Sequence, residues 1–325
     1  MRHFISLFDI NQDELHSILS ISTQLKNLLQ SGKRPPLLAG QVLAMLFEKP
    51  SLRTRVSFEA GMTQLHGAGL FLGQEVGWQK RESTADFTRV LAQYCDFVVC
   101  RAKLHASVEE LASFNVVPVI NGLTDLCHPC QALADLLTMQ ENAEDDGGTS
   151  KLAGQQITFV GDGNNVSRSL ALACAMTGVR FRLLGPPSYF MDDVSISKIK
   201  ERYPNADLAQ TDSSEEALTD ADFVYSDVWT SMGQEAESAQ RRIDFADFQL
   251  NSELMQLAPA HCKVLHCLPA NRGEEITDAV IDSKNSLIVE QAGNRMHGQK
   301  GLLIWLALQH GKLSISDLAQ IGIQA

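Results

Sequence analysis

Two arginines and two hydroxyls crowd one short stretch of this chain, Phe47-Glu48-Lys49-Pro50-Ser51-Leu52-Arg53-Thr54-Arg55. A hydrophobic run precedes it and a helix-like segment follows. Ser51 stands just after Pro50, where a helix N-cap belongs. A helix starting there directs its free N–H groups and positive dipole end outward. Arginine is the side chain that forks onto phosphate or carboxylate oxygens. Together these make an anion cradle, and phosphate is the expected occupant. The stretch lacks the glycines and the lysine of a P-loop, so a nucleoside triphosphate is not implied. The plain alternative is a capped helix with surface arginines.

A second cluster is Cys127-His128-Pro129-Cys130-Gln131-Ala132-Leu133-Ala134-Asp135. His128 and Gln131 are three apart at a helix start and share a face. An imidazole beside an amide can hold a carbonyl oxygen and an NH2 group together. Cys127-x-x-Cys130 also fits a redox dithiol or half of a zinc site. No second cysteine pair of that spacing exists, and a packed histidine at a helix cap is a further option. Asp135 reads as a structural partner on the helix face.

Four further segments follow apolar runs. Arg101 ends Phe97-Val98-Val99-Cys100, and a lone arginine there is ordinarily solvated. Gly161-Asp162-Gly163-Asn164-Asn165 has the first two glycines of a dinucleotide fingerprint but not the third. Asp227-Val228-Trp229-Thr230-Ser231-Met232-Gly233 places a hydroxyl four residues after a carboxylate, a pair suited to an amino group. In His266-Cys267-Leu268-Pro269 a thiol adjoins an imidazole, which fits either a nucleophile or a buried, inert cysteine. Gln291-Ala292-Gly293-Asn294-Arg295-Met296-His297 brings one more arginine, just before a final helix.

Strands must alternate with helices to place these segments. Strands are expected at Gln41–Phe47, Asp96–Cys100, Val116–Ile120, Gln156–Val160, Val179–Leu184, Asp222–Ser226, Lys263–His266 and Ser286–Val289. Helices are expected at Thr54–His66, Pro129–Glu141, Ser167–Thr177 and Gln299–Gln309. Ser213 and Glu216 have capping-box spacing before a short helix. The pattern predicts an α/β fold with mainly parallel sheets. The acidic, Gly-Gly-containing stretch Glu141–Ser150 is the expected linker. Two doubly wound halves of similar size follow, 1–140 and 151–298, with 299–325 as a helix returning to the first.

The 325 residues are 44% hydrophobic, enough to bury one or two cores. With 27 Lys+Arg against 39 Asp+Glu the net charge is −12, which disfavours nucleic acid as a partner. No apolar run approaches the ~18 residues of a membrane span, and the first residues do not read as a signal peptide. Seven scattered cysteines argue for reduced thiols and a cytoplasmic location rather than a disulfide framework.

Ser51-Leu52-Arg53-Thr54-Arg55 resembles the carbamoyl-phosphate motif of the aspartate/ornithine carbamoyltransferase family, usually Ser-Thr-Arg-Thr-Arg, with Leu52 in place of Thr. His128-Pro129-Cys130-Gln131-x-Leu133-x-Asp135 is similar to the next motif of that family. Asp227-x-Trp229-x-Ser231-Met232-Gly233 and His266-Cys267-Leu268-Pro269 resemble its ornithine branch. In the last motif Gly293 replaces the usual Glu before Asn294-Arg295. The resemblance runs through nearly the whole chain. The loop Gly77-Trp78-Gln79-Lys80-Arg81-Glu82-Ser83 fits less well, because Gln79 and Lys80 compete for one role and Trp78 is unusual there.

The resemblance implies transfer of a carbamoyl group from carbamoyl phosphate to the δ-amine of L-ornithine; an N-acylated ornithine or another diamine is the alternative acceptor. Ser51, Leu52 (through its main-chain N–H), Arg53, Thr54, Arg101, His128, Gln131, Cys267, Leu268 and Arg295 would bind carbamoyl phosphate. Asn165, Asp227, Ser231 and Met232 would bind the amino acid. Arg101, His128, Cys267, Asp227 and Arg295 would serve the chemistry. No metal or organic cofactor is implied, and a homotrimer is. Outside this class stand a nicotinamide-dependent dehydrogenase using the Gly161-x-Gly163 turn and a non-catalytic regulator.

Overall fold

The computed structural model describes residues 1–143, 151–231 and 234–324. Most of the expected linker, residues 144–150, lies outside that set. The chain divides into two compact units, Met1–Leu137 with Gly293–Ala325, and Thr138–Ala292. The return to the first unit thus begins at Gly293.

Unit 1 holds a four-stranded parallel sheet in the order β2-β1-β3-β4, from β1 (Val42–Phe47), β2 (Ala68–Leu72), β3 (Phe97–Arg101) and β4 (Val119–Leu123). Its helices are α1 (Gln12–Gln30), α2 (Leu52–Gln64), α3 (Thr84–Leu91), α4 (His105–Ser113) and most of α5 (Pro129–Asn142). Unit 2 holds a five-stranded parallel sheet in the order β7-β6-β5-β8-β9, from β5 (Gln156–Val160), β6 (Arg180–Leu184), β7 (Leu208–Thr211), β8 (Phe223–Ser226) and β9 (Lys263–His266). With it go α6 (Asn165–Thr177), α7 (Asp193–Arg202), α8 (Ser214–Leu218), α9 (Ser238–Asp244) and α10 (Asp278–Ile281). The long α11 (Ile288–Gln309) and the short α12 (Ile315–Gln320) close the chain.

The inner strands are apolar because helices cover both faces of a parallel sheet. Every residue of β3 and β5 is buried. In each sheet the strand order reverses once beside the first strand, between β1 and β3 and between β5 and β8. Ligands of open α/β sheets bind at the carboxyl ends of strands flanking such a reversal. Ser51 and Arg101 follow or end β1 and β3, whereas Asn164 and Asp227 follow β5 and β8.

The expected fold class holds, with differences at weakly apolar segments. The edge strands β2 and β7 were not expected. Edge strands bury less side chain, and Ala68-Gly69 and Gln210-Thr211 carry little apolar signal. The third expected strand moves to Val119–Leu123, beyond Pro118, which has no N–H to give to a ladder. Ser286–Val289 is no strand: Ser286 makes one isolated bridge to Val264, and α11 begins at Ile288. Arg295 therefore lies inside the long helix rather than before it. At α8 only half of the capping box forms, since the Glu216 side chain takes the Thr211 hydroxyl instead.

Helix α11 packs closely on α1. A Cβ on Gly301 would lie within 2.6 Å of the Ile18 carbonyl oxygen and closer still to the Ser22 hydroxyl. Ala favours a helix over Gly by about 1 kcal/mol, but overpacking a core costs about 1–3 kcal/mol. Gly301→Ala is therefore expected to lower the urea midpoint of unfolding without changing its slope; an unchanged or higher midpoint would show that α1 and α11 can move apart freely.

Candidate functional site

The expected anion cradle falls in unit 1 where three chain segments converge. Ser51 caps α2, its side chain accepting the Thr54 N–H at 3.4 Å. Arg101 is placed beside that turn by sheet register, opposite Phe47, and its carbonyl accepts the Glu48 N–H at 2.9 Å. Pro129 starts α5, with His128 just before it and Gln131 in its first turn. Proline suits this place because its missing N–H is not needed there.

Arg295 ties these elements together from α11. Its Nη1 donates to Gln131 Oε1 at 2.6 Å and its Nη2 to Thr54 Oγ1 at 2.7 Å, and Nη1 lies 3.4 Å from His128 Nε2. Gln131 in turn donates through Nε2 to Asp135 at 2.8 Å, so Asp135 fixes which way the amide faces. Thr54 accepts from Arg295, which leaves its hydroxyl hydrogen to donate.

The charge balance here is lopsided. Arg101 is 8% exposed and Arg295 3%, and no ion pair joins Arg101 or Arg53 to a carboxylate among the described residues. Burial, then the nearby Arg295 and Arg53, lower the Arg101 pKa to about 10, so it remains charged at neutral pH. Burial together with Arg295 and Arg101 holds His128 well below its ordinary pKa and so neutral. Arg55 plays a different part: it pairs with Glu59 at 3.0 Å and its guanidinium lies 4.0 Å from the centre of the Phe71 ring.

The Cys-x-x-Cys reading is corrected. Cys127 Sγ meets the Ile5 carbonyl and Cys130 Sγ the Asn121 carbonyl, so each thiol has its own partner. Burial pushes both up to about 12, far from the thiolate that redox or metal chemistry needs.

In unit 2 a second constellation centres on Asp227, 6% exposed at the end of β8. Its carboxylate accepts from Asn164 Nδ2 at 2.8 Å, the Val228 N–H at 2.8 Å and Cys267 Sγ at 2.9 Å. Asn164 also caps α6 through its side-chain oxygen, so the helix starts at Asn165 rather than Ser167. Asn165 and Ser231 are half-buried, and the Ser231 N–H donates to Gln234 at 3.1 Å. Met232 lies outside the described residues.

The thiol beside an imidazole is not a nucleophilic pair. His266 Nδ1 accepts the Leu268 N–H at 2.8 Å, so its proton sits on Nε2, which faces Glu275 at 3.1 Å. Glu275 also accepts the Asn271 N–H at 2.6 Å. This buried brace holds Leu268 at φ 58, a backbone conformation leucine rarely adopts and one associated with functional turns. The dinucleotide reading fails on sterics. The second glycine of such a turn lets a pyrophosphate approach, but a Cβ on Gly163 would lie 2.6 Å from the Phe190 carbonyl carbon and 2.8 Å from Met191 Cα. The protein's own backbone occupies that space.

Residues 2–141 match the model of the aspartate/ornithine carbamoyltransferase carbamoyl-P binding domain, and residues 153–306 that of the Asp/Orn binding domain. The chain belongs to the aspartate/ornithine carbamoyltransferase family. It is 46% identical over 308 residues to an ornithine carbamoyltransferase of Anoxybacillus flavithermus, covering 94% of this chain and 96% of the relative. An ornithine carbamoyltransferase of Archaeoglobus fulgidus is 43% identical over 307 residues, covering 94% and 97%. The solved ornithine carbamoyltransferase of Pyrococcus furiosus has a TM-score of 0.89 at 42% identity, covering 96% and 98%.

Against that family background, Trp78 has a local explanation. It is 7% exposed and belongs to the hydrophobic core of unit 1 with Leu46, Val98 and Val119. Gln79 and Lys80 are exposed. Sequence reasoning missed Asn164, although an Asn before an apolar helical run is an N-cap signal, and it missed Glu275 and Arg241, for which no local signal exists.

The His128 environment makes a prediction. A histidine whose folded pKa lies below the unfolded value of ~6.5 takes up a proton on unfolding in acid. Its contribution to stability is complete above that pH and is lost as pH falls toward the folded value. In proton–nitrogen correlation spectra the His128 ring is expected to keep neutral-form shifts from pH 8 to 5, and His128→Asn to flatten the acid slope of stability. A midpoint near ~6.5 would contradict the burial argument.

Proposed function

We propose that this carbamoyltransferase moves the carbamoyl group of carbamoyl phosphate onto the δ-amine of L-ornithine, giving L-citrulline and phosphate, with unit 1 as the donor half and unit 2 as the acceptor half. The observation that carries this is the gathering of Arg53, Arg101 and Arg295 at the α2 N-terminus, in a chain of net charge −12. Such a site suits a small dianion.

In this reading Ser51, Leu52 through its N–H, Arg53 and Thr54 hold the phosphoryl oxygens. Arg101, His128 and Arg295 surround the carbamoyl oxygen, and Gln131 with the carbonyls at Cys267 and Leu268 takes the carbamoyl NH2. Asp227, Asn165, Ser231 and Met232 hold the amino acid. The neutral δ-amine attacks the carbamoyl carbon, and a C–N bond forms while negative charge collects on oxygen. Preorganised donors stabilise that oxyanion. The C–O bond to phosphate then breaks. The proton lost by the amine balances as it ends on the departing phosphate, which leaves as HPO4 dianion. A free δ-amine has a pKa near ~10.4, so it must first lose a proton, and the hydrogen-bonded Cys267–Asp227 pair offers a route. Every group in this scheme comes from the chain or its substrates.

A homotrimer is part of the proposal. Leu52 and Val56, one turn apart on α2, are exposed apolar residues on the helix that carries the proposed cradle. A cytoplasmic location fits the seven buried free cysteines. Among the described residues no helix is long and apolar enough to cross a membrane.

The deciding experiment is citrulline formation measured beside N-acetylornithine, N-succinylornithine and putrescine as acceptors. Turnover with ornithine alone is expected, and preference for any other acceptor would displace this reading. Removing one charged hydrogen-bonding group from a phosphate costs about 1.5–3 kcal/mol. Arg53→Ala is accordingly expected to weaken carbamoyl phosphate binding by about 10–100-fold in calorimetry; unchanged affinity would place the donor elsewhere.

A further inference from the structure

Unit 2 contains a buried ion pair that the scheme above does not use. Arg241, on α9, is 5% exposed. Its Nη1 donates to Asp162 Oδ2 at 2.6 Å and to the Trp229 carbonyl at 3.0 Å, while its Nε donates to Glu237 at 3.0 Å. An aromatic wall lies against it. The guanidinium is 4.8 Å from the centre of the Tyr189 ring, and Tyr189 and Trp229 both pack on the buried Phe245.

The two partners of Nη1 lie on different segments. Asp162 stands two residues before Asn164, and Trp229 two residues after Asp227. Asn164 and Asp227 are themselves joined at 2.8 Å. The segments 162–164 and 227–229 are therefore pinned at both ends, by Asn164–Asp227 at one and by the Arg241 nitrogen at the other. Asn165 continues the first segment and Ser231 the second. The β5–β8 ladder ends at Val160 and Ser226; beyond it, two contacts rather than one set the separation and angle of the segments.

We infer that Arg241 with Asp162 forms a positioning pair that fixes the spacing between the two segments holding the amino-acid substrate. The inference rests on unit 2 being the amino-acid half. A buried ion pair is a weak stabiliser, because desolvation offsets the attraction, and its apolar replacement is often neutral. Stability alone thus does not account for placing a guanidinium here. The reach of one nitrogen to both a carboxylate and a main-chain carbonyl does.

The test uses the full-length enzyme with Asp162→Asn, Arg241→Met, the double variant and Arg241→Lys. Each assay reads kcat, KM for ornithine, KM for carbamoyl phosphate and the unfolding midpoint. Arg241→Met leaves Asp162 a buried carboxylate without its cation, and Asp162→Asn leaves Arg241 only the exposed Glu237 as counter-charge, so both should unfold earlier and bind ornithine less well. In the double variant no buried lone charge remains, since Glu237 is exposed, so the unfolding midpoint should recover. Its ornithine KM should stay raised by about tenfold, since small misplacements of substrate-holding groups are costly. The KM for carbamoyl phosphate should stay within about twofold of wild type, because in the proposed scheme the groups that hold its phosphate lie in unit 1. A purely structural pair would return stability and ornithine KM together, which overturns the inference. Arg241→Lys keeps the charge but not the planar fork. It should hold the unfolding midpoint while raising ornithine KM several-fold, and a wild-type KM would overturn the inference even if the double variant does not fold. Failure of the wild type to form citrulline would instead sink the assignment of unit 2.

Discussion

Everything in the donor half depends on one guanidinium held in a place electrostatics opposes. Arg295 sits buried beside Arg101 and near neutral His128, and each cation disfavours the others. What keeps it there is geometry. Its two terminal nitrogens are fixed by Gln131 on α5 and Thr54 on α2, and Gln131 is itself oriented by Asp135. These two neutral hydrogen bonds orient the charge without neutralising it themselves. In the proposed scheme the mutual repulsion of Arg53, Arg101 and Arg295 favours a negatively charged ligand, inside a chain whose overall charge repels one.

The acceptor half solves the opposite problem. In the proposed scheme Asp227 offers its carboxylate to the amine, and Asn164, the Val228 N–H and Cys267 support it from the side. The brace of His266 and Glu275 holds the turn that carries Cys267 and Leu268. In both halves the residues expected to touch substrate are short-range neighbours of strand ends. Some of the residues that orient them are local, such as Asp135 and His266, whereas others, such as Arg295 and Arg241, come from elsewhere in the chain.

The strands with strong apolar runs, such as Gln156–Val160 and Lys263–His266, were legible because both sheet faces are covered. The motif residues were legible because their types crowd together in sequence. The first half of α11 was not. Gln291, Asn294, Arg295 and His297 are all buried polar residues on that helix, so a stretch that packs inward looks in sequence like a surface connection. The edge strands were missed for a related reason, since an element that buries little has little apolar pattern to show. Asn164 and Arg241 act through Asp227 and Asp162, partners far away in sequence, at separations that only the fold closes. Trp78 shows the converse. It looked like a departure from a substrate loop and is a core side chain of its own unit.

The Gly161-Asp162-Gly163 turn carries a consequence for the history of such folds. It has the outline of a nucleotide-binding turn, yet the segment around Phe190 and Met191 presses its main chain onto Gly163. Converting this turn to hold a diphosphate would require rebuilding the connection after β6 and not a change of side chains. Sheets that look interchangeable on paper are in this respect committed: the shape of a neighbouring loop, more than the glycines themselves, decides which molecules the strand ends can receive.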